Sequence, residues 1–287
     1  MGRESHNLPP LTLFVNSIVI SSFNIIFNYI LINQSKSVSQ RKSVEGSLQA
    51  QFESILASSG YSTKTFCALE TGYHCKPTEL QKSSYGLRLV QAIRASDQGY
   101  VDNLLKCGIS TNPCNMFGES IVHMVCRRAD YNLLKVFIDH GCSVQVSDDF
   151  GRTPLHDACW TAEPCFKCVE LLLDRDLRLL NIRDCRGFTP LDYVKRENWT
   201  KWIDFFYRKK EVYWVKRSIE KLGEQEPPKL VNIKPNSNPL KDPKNAISTD
   251  LAKMLASGAI SPHDILLEKQ KDHSPNDAST HSTVVCT

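Results

Sequence analysis

The sequence predicts an all-α solenoid of helix-turn-helix units joined by short hairpin loops. Three observations predict it. First, "NMFGESIVHMVC" (115–126), "DDFGRTPLHDAC" (148–159) and "DCRGFTPLDYVK" (184–195) align with one another, their glycines Gly118, Gly151 and Gly187 lying 33 and 36 residues apart. Self-similarity at such a period is the signature of a stacked-repeat architecture, in which no unit buries its apolar face alone. Second, Thr153-Pro154 and Thr189-Pro190 place a capping hydroxyl before a proline that opens a helix, with Ser120 in the equivalent place. Third, Gly108 in "LLKCG" and Gly141 in "FIDHG" are again 33 apart and read as left-handed helix ends.

Taken in chain order, residues 1–33 form a hydrophobic segment. Leu11 to Ile32 carries no charge over 22 residues, but seven of them are polar. As a helix it would be about 33 Å long, enough to cross a hydrocarbon core of roughly 30 Å. It reads either as a membrane anchor or as a buried or cleaved segment. In the first case Lys36, Arg41 and Lys42 would place the repeats on the cytosolic side. Residues 34–79 read as a linker containing one short amphipathic helix, with Leu48, Phe52, Ile55 and Leu56 at helical spacing. Residues 80–222 are the repeat domain, with units 82–114, 115–147, 148–183 and 184–210 plus a helical C-terminal cap. The three extra residues of the third unit fall around "TAEPCFKC" and "LRLLNIR", and Asp176 replaces the glycine expected at the end of its second helix. Residues 223–287 read as a largely disordered tail, interrupted by two short helices, "DLAKMLAS" capped by Thr249 and "HDILLEKQ" opened by Ser261 and Pro262.

In each unit Asn115, Asp148 or Asp184 stands three residues before the turn glycine, and Val122, Leu155 and Leu191 start the buried face. Trp199, Trp202, Phe205 and Phe206 follow helical spacing toward the stack, and Tyr213, Val215 and Ile219 are assigned to a following helix. The surrounding stretch 195–217 holds eight bases (Lys195, Arg196, Lys201, Arg208, Lys209, Lys210, Lys216, Arg217). It reads as a cap with a polar outer face or as a basic patch for nucleic acid or anionic lipid.

The unit "GRTPLHDAC", with "GFTPLDYV" and "GESIVHMVC" in the same register, resembles the ankyrin repeat over about residues 80–210. The resemblance implies that His156 and His123 hydrogen-bond beside the capping residue and hold the turn, and that Cys126 and Cys159 fill one small buried position. The Cys–His–Asp cluster of residues 156–159 is therefore read as scaffold, since a nucleophilic thiol must be exposed and polarised. Cys165 and Cys168 lack a second ligand pair for zinc, and no phosphate-binding loop or hydrolase motif occurs. The chain is read as non-enzymatic, with no catalytic residue, cofactor or metal. Hydrophobic residues make up 41%, net charge is +4 and eleven cysteines show no disulfide-scaffold spacing. These features suit a globular chain of a reducing cytoplasm and give nucleic acid no basis as a partner.

The resemblance further implies a protein partner bound on the concave face. Its contacts would be hairpin-tip residues Met116, Phe117, Asp149, Phe150, Arg152, Arg186 and Phe188. Arg94, Arg127, Trp160 and Arg196 recur in register along the groove and suit an acidic or phosphorylated partner. Replacing Arg127 and Trp160 by alanine is expected to weaken binding while leaving melting unchanged. Membrane contact through 11–32 and the basic cap is the alternative reading.

Overall fold

The computed structural model describes residues 46–215 and 240–272. By its contacts the chain divides between Ser47 and Leu48, and the unit from Leu48 onward holds every helix among the described residues. The anchor candidate 11–32, together with Lys216, Arg217 and Ile219, lies outside the described residues. Among the described residues no helix is long and apolar enough to cross a membrane.

The repeats form three helix pairs and a shortened fourth. They are α3 (Leu87–Arg94) with α4 (Gln98–Cys107), α5 (Ile121–Arg127) with α6 (Tyr131–Asp139), and α7 (Pro154–Cys159) with α8 (Phe166–Leu173). In the fourth unit a 3-10 turn at Pro190–Tyr193 stands for the first helix, and α9 (Trp199–Tyr213) is the second. Inner helices pack on inner helices and outer on outer, so α5 meets α7 while α6 meets α4 and α8. Second helices start on Asp97 and Asp130, whose carboxylates accept from Tyr100 N and Leu133 N at 3.0 Å. The turn between α5 and α6 uses Arg128–Asp130, whereas that between α7 and α8 runs from Trp160 to Cys165, which houses the three extra residues. Asp176, at the glycine-less end of the third unit, adopts extended backbone (φ −158°) and caps a 3-10 turn at Leu177–Asn181.

Each hairpin is closed by its Asn or Asp. Oδ1 of Asn115, Asp148 and Asp184 accepts the amides two and four residues on, at 2.8–3.1 Å. This fold-back needs a left-handed residue at the tip, and the three turn glycines supply it with φ of +69°, +78° and +85°.

Of the segment 34–79, expected to be a linker with one amphipathic helix, residues 34–45 lie outside the described residues, and from Leu48 onward the segment is part of the folded body. α1 (Leu48–Ser58) buries Leu48, Phe52, Ile55 and Leu56 against α9 at the far end of the stack. Phe52 lies 4.9 Å from Phe206 and 5.2 Å from Trp214, ring centre to ring centre. Residues 64–81 then run back along the hairpin bases. β1 (Phe66–Cys67) pairs in parallel with β2 (Ile182–Arg183), Ser147 N donates to Tyr73 O, and Cys114 N donates to Gln81 O. The phenol of Tyr73 donates to buried Asp176 at 2.5 Å. α2 (Glu79–Ser83), with a Thr78–Gln81 capping box, delivers the chain to the first pair. The physical reason is burial: a polar linker has nothing to hide, but Tyr73 and the apolar face of α1 do.

The cap at 199–213 turns Trp202, Phe205 and Phe206 inward. Tyr213 ends this same helix, Trp214 folds back onto Phe52 and Val215 is exposed. The tail likewise differs from the expectation. α10 (Thr249–Ser257), capped by Ser248 rather than Thr249, and α11 (Pro262–Asp272) pack on the first pair.

If α1 belongs to the core, Phe52→Ala leaves a cavity among aromatic rings. It should lower the unfolding free energy by about 3–5 kcal/mol in urea denaturation followed by tryptophan fluorescence. An unchanged midpoint would place α1 outside the cooperative unit.

Candidate functional site

The concave side and hairpin tips carry two kinds of residue. The first is an internal network. His156 Nδ1 accepts from Thr153 N at 3.0 Å, so the proton resides on Nε2, which donates to Phe188 O in the next unit at 3.2 Å. Burial pushes the His156 pKa down to about 4, keeping the ring neutral. His123 Nε2 meets Arg152 O at 2.9 Å one unit earlier, so the two rings tie successive hairpins in series.

The arginines expected to face a partner belong to this network. Arg127 chelates buried Asp157, with Nε to Oδ1 at 3.0 Å and Nη2 to Oδ2 at 3.3 Å, and also pairs with Glu119. Its side chain is 29% exposed. Burial opposes ionisation of both partners, but the mutual attraction wins, holding the Asp157 carboxyl below its ordinary range and Arg127 above its own. Arg152 is 8% exposed and its guanidinium grips Asp148 at 2.7 Å, so it is not a tip contact. Arg186, although exposed, is shared between Asp184 at 3.2 Å and the Tyr193 hydroxyl at 2.5 Å. Of the arginines expected in register, Arg127 is thus neutralised within the protein, as are the tip residues Arg152 and Arg186, whereas Arg94 and Arg196 are exposed. Sequence reasoning missed Glu119, Asp157 and Tyr193 as their partners. The available signal was an acid in the first helix one repeat, less three residues, after Arg127.

The second kind is exposed. Met116 is 85%, Phe117 39% and Phe150 43% exposed. They sit on adjacent hairpins joined by backbone bonds, Asp149 N to Phe117 O at 3.2 Å and Cys185 N to Phe150 O at 2.8 Å. The guanidinium of Arg152 lies 5.3 Å from the Phe150 ring and that of Arg186 lies 5.3 Å from the half-buried Phe188 ring, which holds both aromatics in place. Asp149 is exposed between them and Trp160 is half-buried at the end of α7, while exposed Arg94 and Arg196 stand on the first and fourth units.

Burial raises the Cys126 and Cys159 thiols well above their ordinary range, the opposite of nucleophile activation. Cys168 is buried on α8 with a raised pKa, and no group of three metal-ligating side chains occurs among the described residues. On the basic cap, Lys201 pairs with Glu163 at 2.5 Å and Lys209 with Glu170 at 3.0 Å. Its Trp202, Phe205 and Phe206 rings face the core, whereas Tyr207 is exposed.

The network makes two outcomes testable. Arg127→Ala leaves buried Asp157 without its counter-charge and should cost about 2–3 kcal/mol, the lower end of the range for breaking a buried pair because Arg127 is partly solvated. Melting of the single variant tests this, and it corrects the expectation that Arg127 can be removed silently. Acid should also destabilise the chain. Between pH about 6.5 and about 4 the unfolded His156 takes up a proton that the folded ring refuses. Stability should therefore fall by up to about 3 kcal/mol across that window, and the slope should flatten in His156→Gln.

A family model described as Ankyrin repeats (3 copies) matches residues 89–184. Cyclin-dependent kinase inhibitor 2A of Monodelphis domestica is 28% identical over 154 residues, covering 53% of this chain and 86% of that protein. The ankyrin repeat, SAM and basic leucine zipper domain-containing protein 1 of Echinops telfairi is 31% identical over 109 residues, covering 37% of this chain, and that of Equus caballus 31% over 110 residues, also 37%. The chain spans only 22% and 23% of those two proteins. The 33-residue register, the hairpin closures, the histidine ties and these matches agree: residues 89–184 are ankyrin repeats, a type that generally mediates protein–protein interaction.

Proposed function

We propose that this chain is a non-enzymatic interaction module that holds a protein partner along its hairpin tips. The observation that supports this most is the row Met116, Phe117 and Phe150, exposed apolar side chains on adjacent hairpins whose backbones are bonded together. Exposed apolar groups gathered on a rigid edge mark a contact surface, and rigidity spares the ordering entropy that a flexible loop would lose on binding. Trp160 and Phe188 extend the row inward. The partner's anchor is apolar rather than a phosphate, because Arg127, Arg152 and Arg186 already have carboxylate partners. Arg94, Asp149 and Arg196 supply polar rim contacts. Thiols such as Cys126, Cys159 and Cys168, buried as small apolar side chains, suit work in a reducing, cytoplasmic compartment.

The test compares the full chain with the Met116→Ser/Phe150→Ser double variant in affinity capture, followed by titration of any retained protein in purified form. Both positions are exposed, so melting should stay close to wild type. Affinity for the authentic partner should fall at least tenfold, the size of one interface hot spot. A partner that binds both chains equally would refute the hairpin-tip site.

A further inference from the structure

The two ends of the repeat stack are closed by different chemistry. At the far end α1 inserts Leu48, Phe52, Ile55 and Leu56, with the Phe52 ring set between Phe206 and Trp214. At the near end the last described segment does the closing. α10 lies on α2 and α3, and α11 lies on α4, inner helix on inner and outer on outer, as each repeat pair lies on the next. The final helix pair in sequence is thereby the first pair in the stack.

This near contact combines small residues and main chain with the buried Leu255, and Ile247, Leu251 and Ile260 pack beside it. α10 buries Ala252, Leu255 and Ala256. A Cβ built on Gly86 would overlap the Ala256 carbonyl, and one on Gly108 would overlap the Asn245 carbonyl. Its hydrogen bonds include Ile247 N to Gly108 O at 3.2 Å, Asn245 Nδ2 to Lys106 O at 3.1 Å, Thr78 Oγ1 to Asp242 at 3.0 Å and the Cys107 thiol to Pro262 O at 3.4 Å. Ile265 and Leu266 of α11 are only half-buried. Large side chains lock α1 in place, whereas the tail is seated by close fit over two glycines. A close fit over two glycines makes the seat selective, and a helix pair beside the stack can open locally without the repeats unfolding.

We propose that the end face built from α2, α3 and α4 is a second binding site, distinct from the hairpin tips. Its occupant is the helix pair of residues 240–272, held in cis as a detachable cap and exchangeable with the same segment of a second copy. The face selects its occupant by shape: only a helix carrying alanine at the contact position approaches Gly86 closely enough to seat.

Gly86 permits a clean test. Its φ of −145° is open to any residue, so Gly86→Ala disturbs the contact with Ala256 and not the backbone of α3. Ala256→Arg blocks the same contact from the tail side and leaves the face intact. In the full chain both variants should raise amide exchange in 249–258 at least tenfold over wild type while exchange in α5–α8 stays unchanged. A fluorescent peptide of residues 240–272 should then bind the Ala256→Arg chain at least tenfold more tightly than wild type, whose own tail competes. It should bind the Gly86→Ala chain no better than wild type. Tail amides that stay protected in both variants would overturn the seating. Released amides without peptide binding to the Ala256→Arg chain would overturn the site. Loss of the repeats on release would show a permanent structural cap and overturn exchange.

Discussion

The stack depends on a histidine that stays neutral. His156 can accept from Thr153 and donate to Phe188 O only in one tautomer, and burial enforces it by making the charged ring costly. That single ring fixes the start of one helix and the position of the following hairpin. One unit earlier His123 Nε2 reaches the Arg152 carbonyl, while its Nδ1 faces Ser120 O. Hairpin closure by Asp148 and Asp184, the tip glycines and the backbone bonds between tips all presuppose this spacing. A residue that looks catalytic in sequence is a joint between units, and neutrality is what makes it one.

Because each joint is local, the stack has no intrinsic end, and the chain solves this twice. Its N-terminal part closes the C-terminal end of the stack through α1, and its C-terminal part closes the N-terminal end through α10 and α11. The segment 64–81 links these arrangements, crossing the hairpin bases by way of β1 and the Tyr73–Asp176 bond. Terminal units of a solenoid need a covered apolar face, and here the covers come from the opposite ends of the sequence.

The repeats were legible because their constraints are local. Glycine at a left-handed tip, threonine before proline, and aspartate two and four residues from the amides it accepts each leave a mark within five residues. The apolar face of α1 was legible too, but not what it covers, since periodicity states that a face is buried and not against what. The strap at 64–81 and the seat of α10 rest on contacts over a hundred residues apart, such as Asn181 with Lys64 and Asn245 with Lys106. Composition signals of loop and tail hid them. The shift of the tail cap from Thr249 to Ser248 has a smaller cause, two hydroxyls side by side with equal capping ability.

The arginines show why exposure is the harder property to read. Arg127, Trp160 and Arg196 share a register position, and sharing it implies a common direction but not a common environment. The neighbouring unit decides that: Asp157 lies within reach of Arg127 and converts a surface cation into one side of a buried pair. Desolvating a carboxylate such as Asp157 is tolerable only with such a partner, so the network had first claim on the charged residues of this face. What it had no use for were the apolar tips. Met116, Phe117 and Phe150 stay outside the core, and their exposure costs the isolated chain solvation that a bound partner would restore. On a scaffold that commits Arg127, Arg152 and Arg186 to holding its units together, the proposed recognition would draw on the apolar residues that the scaffold leaves in water.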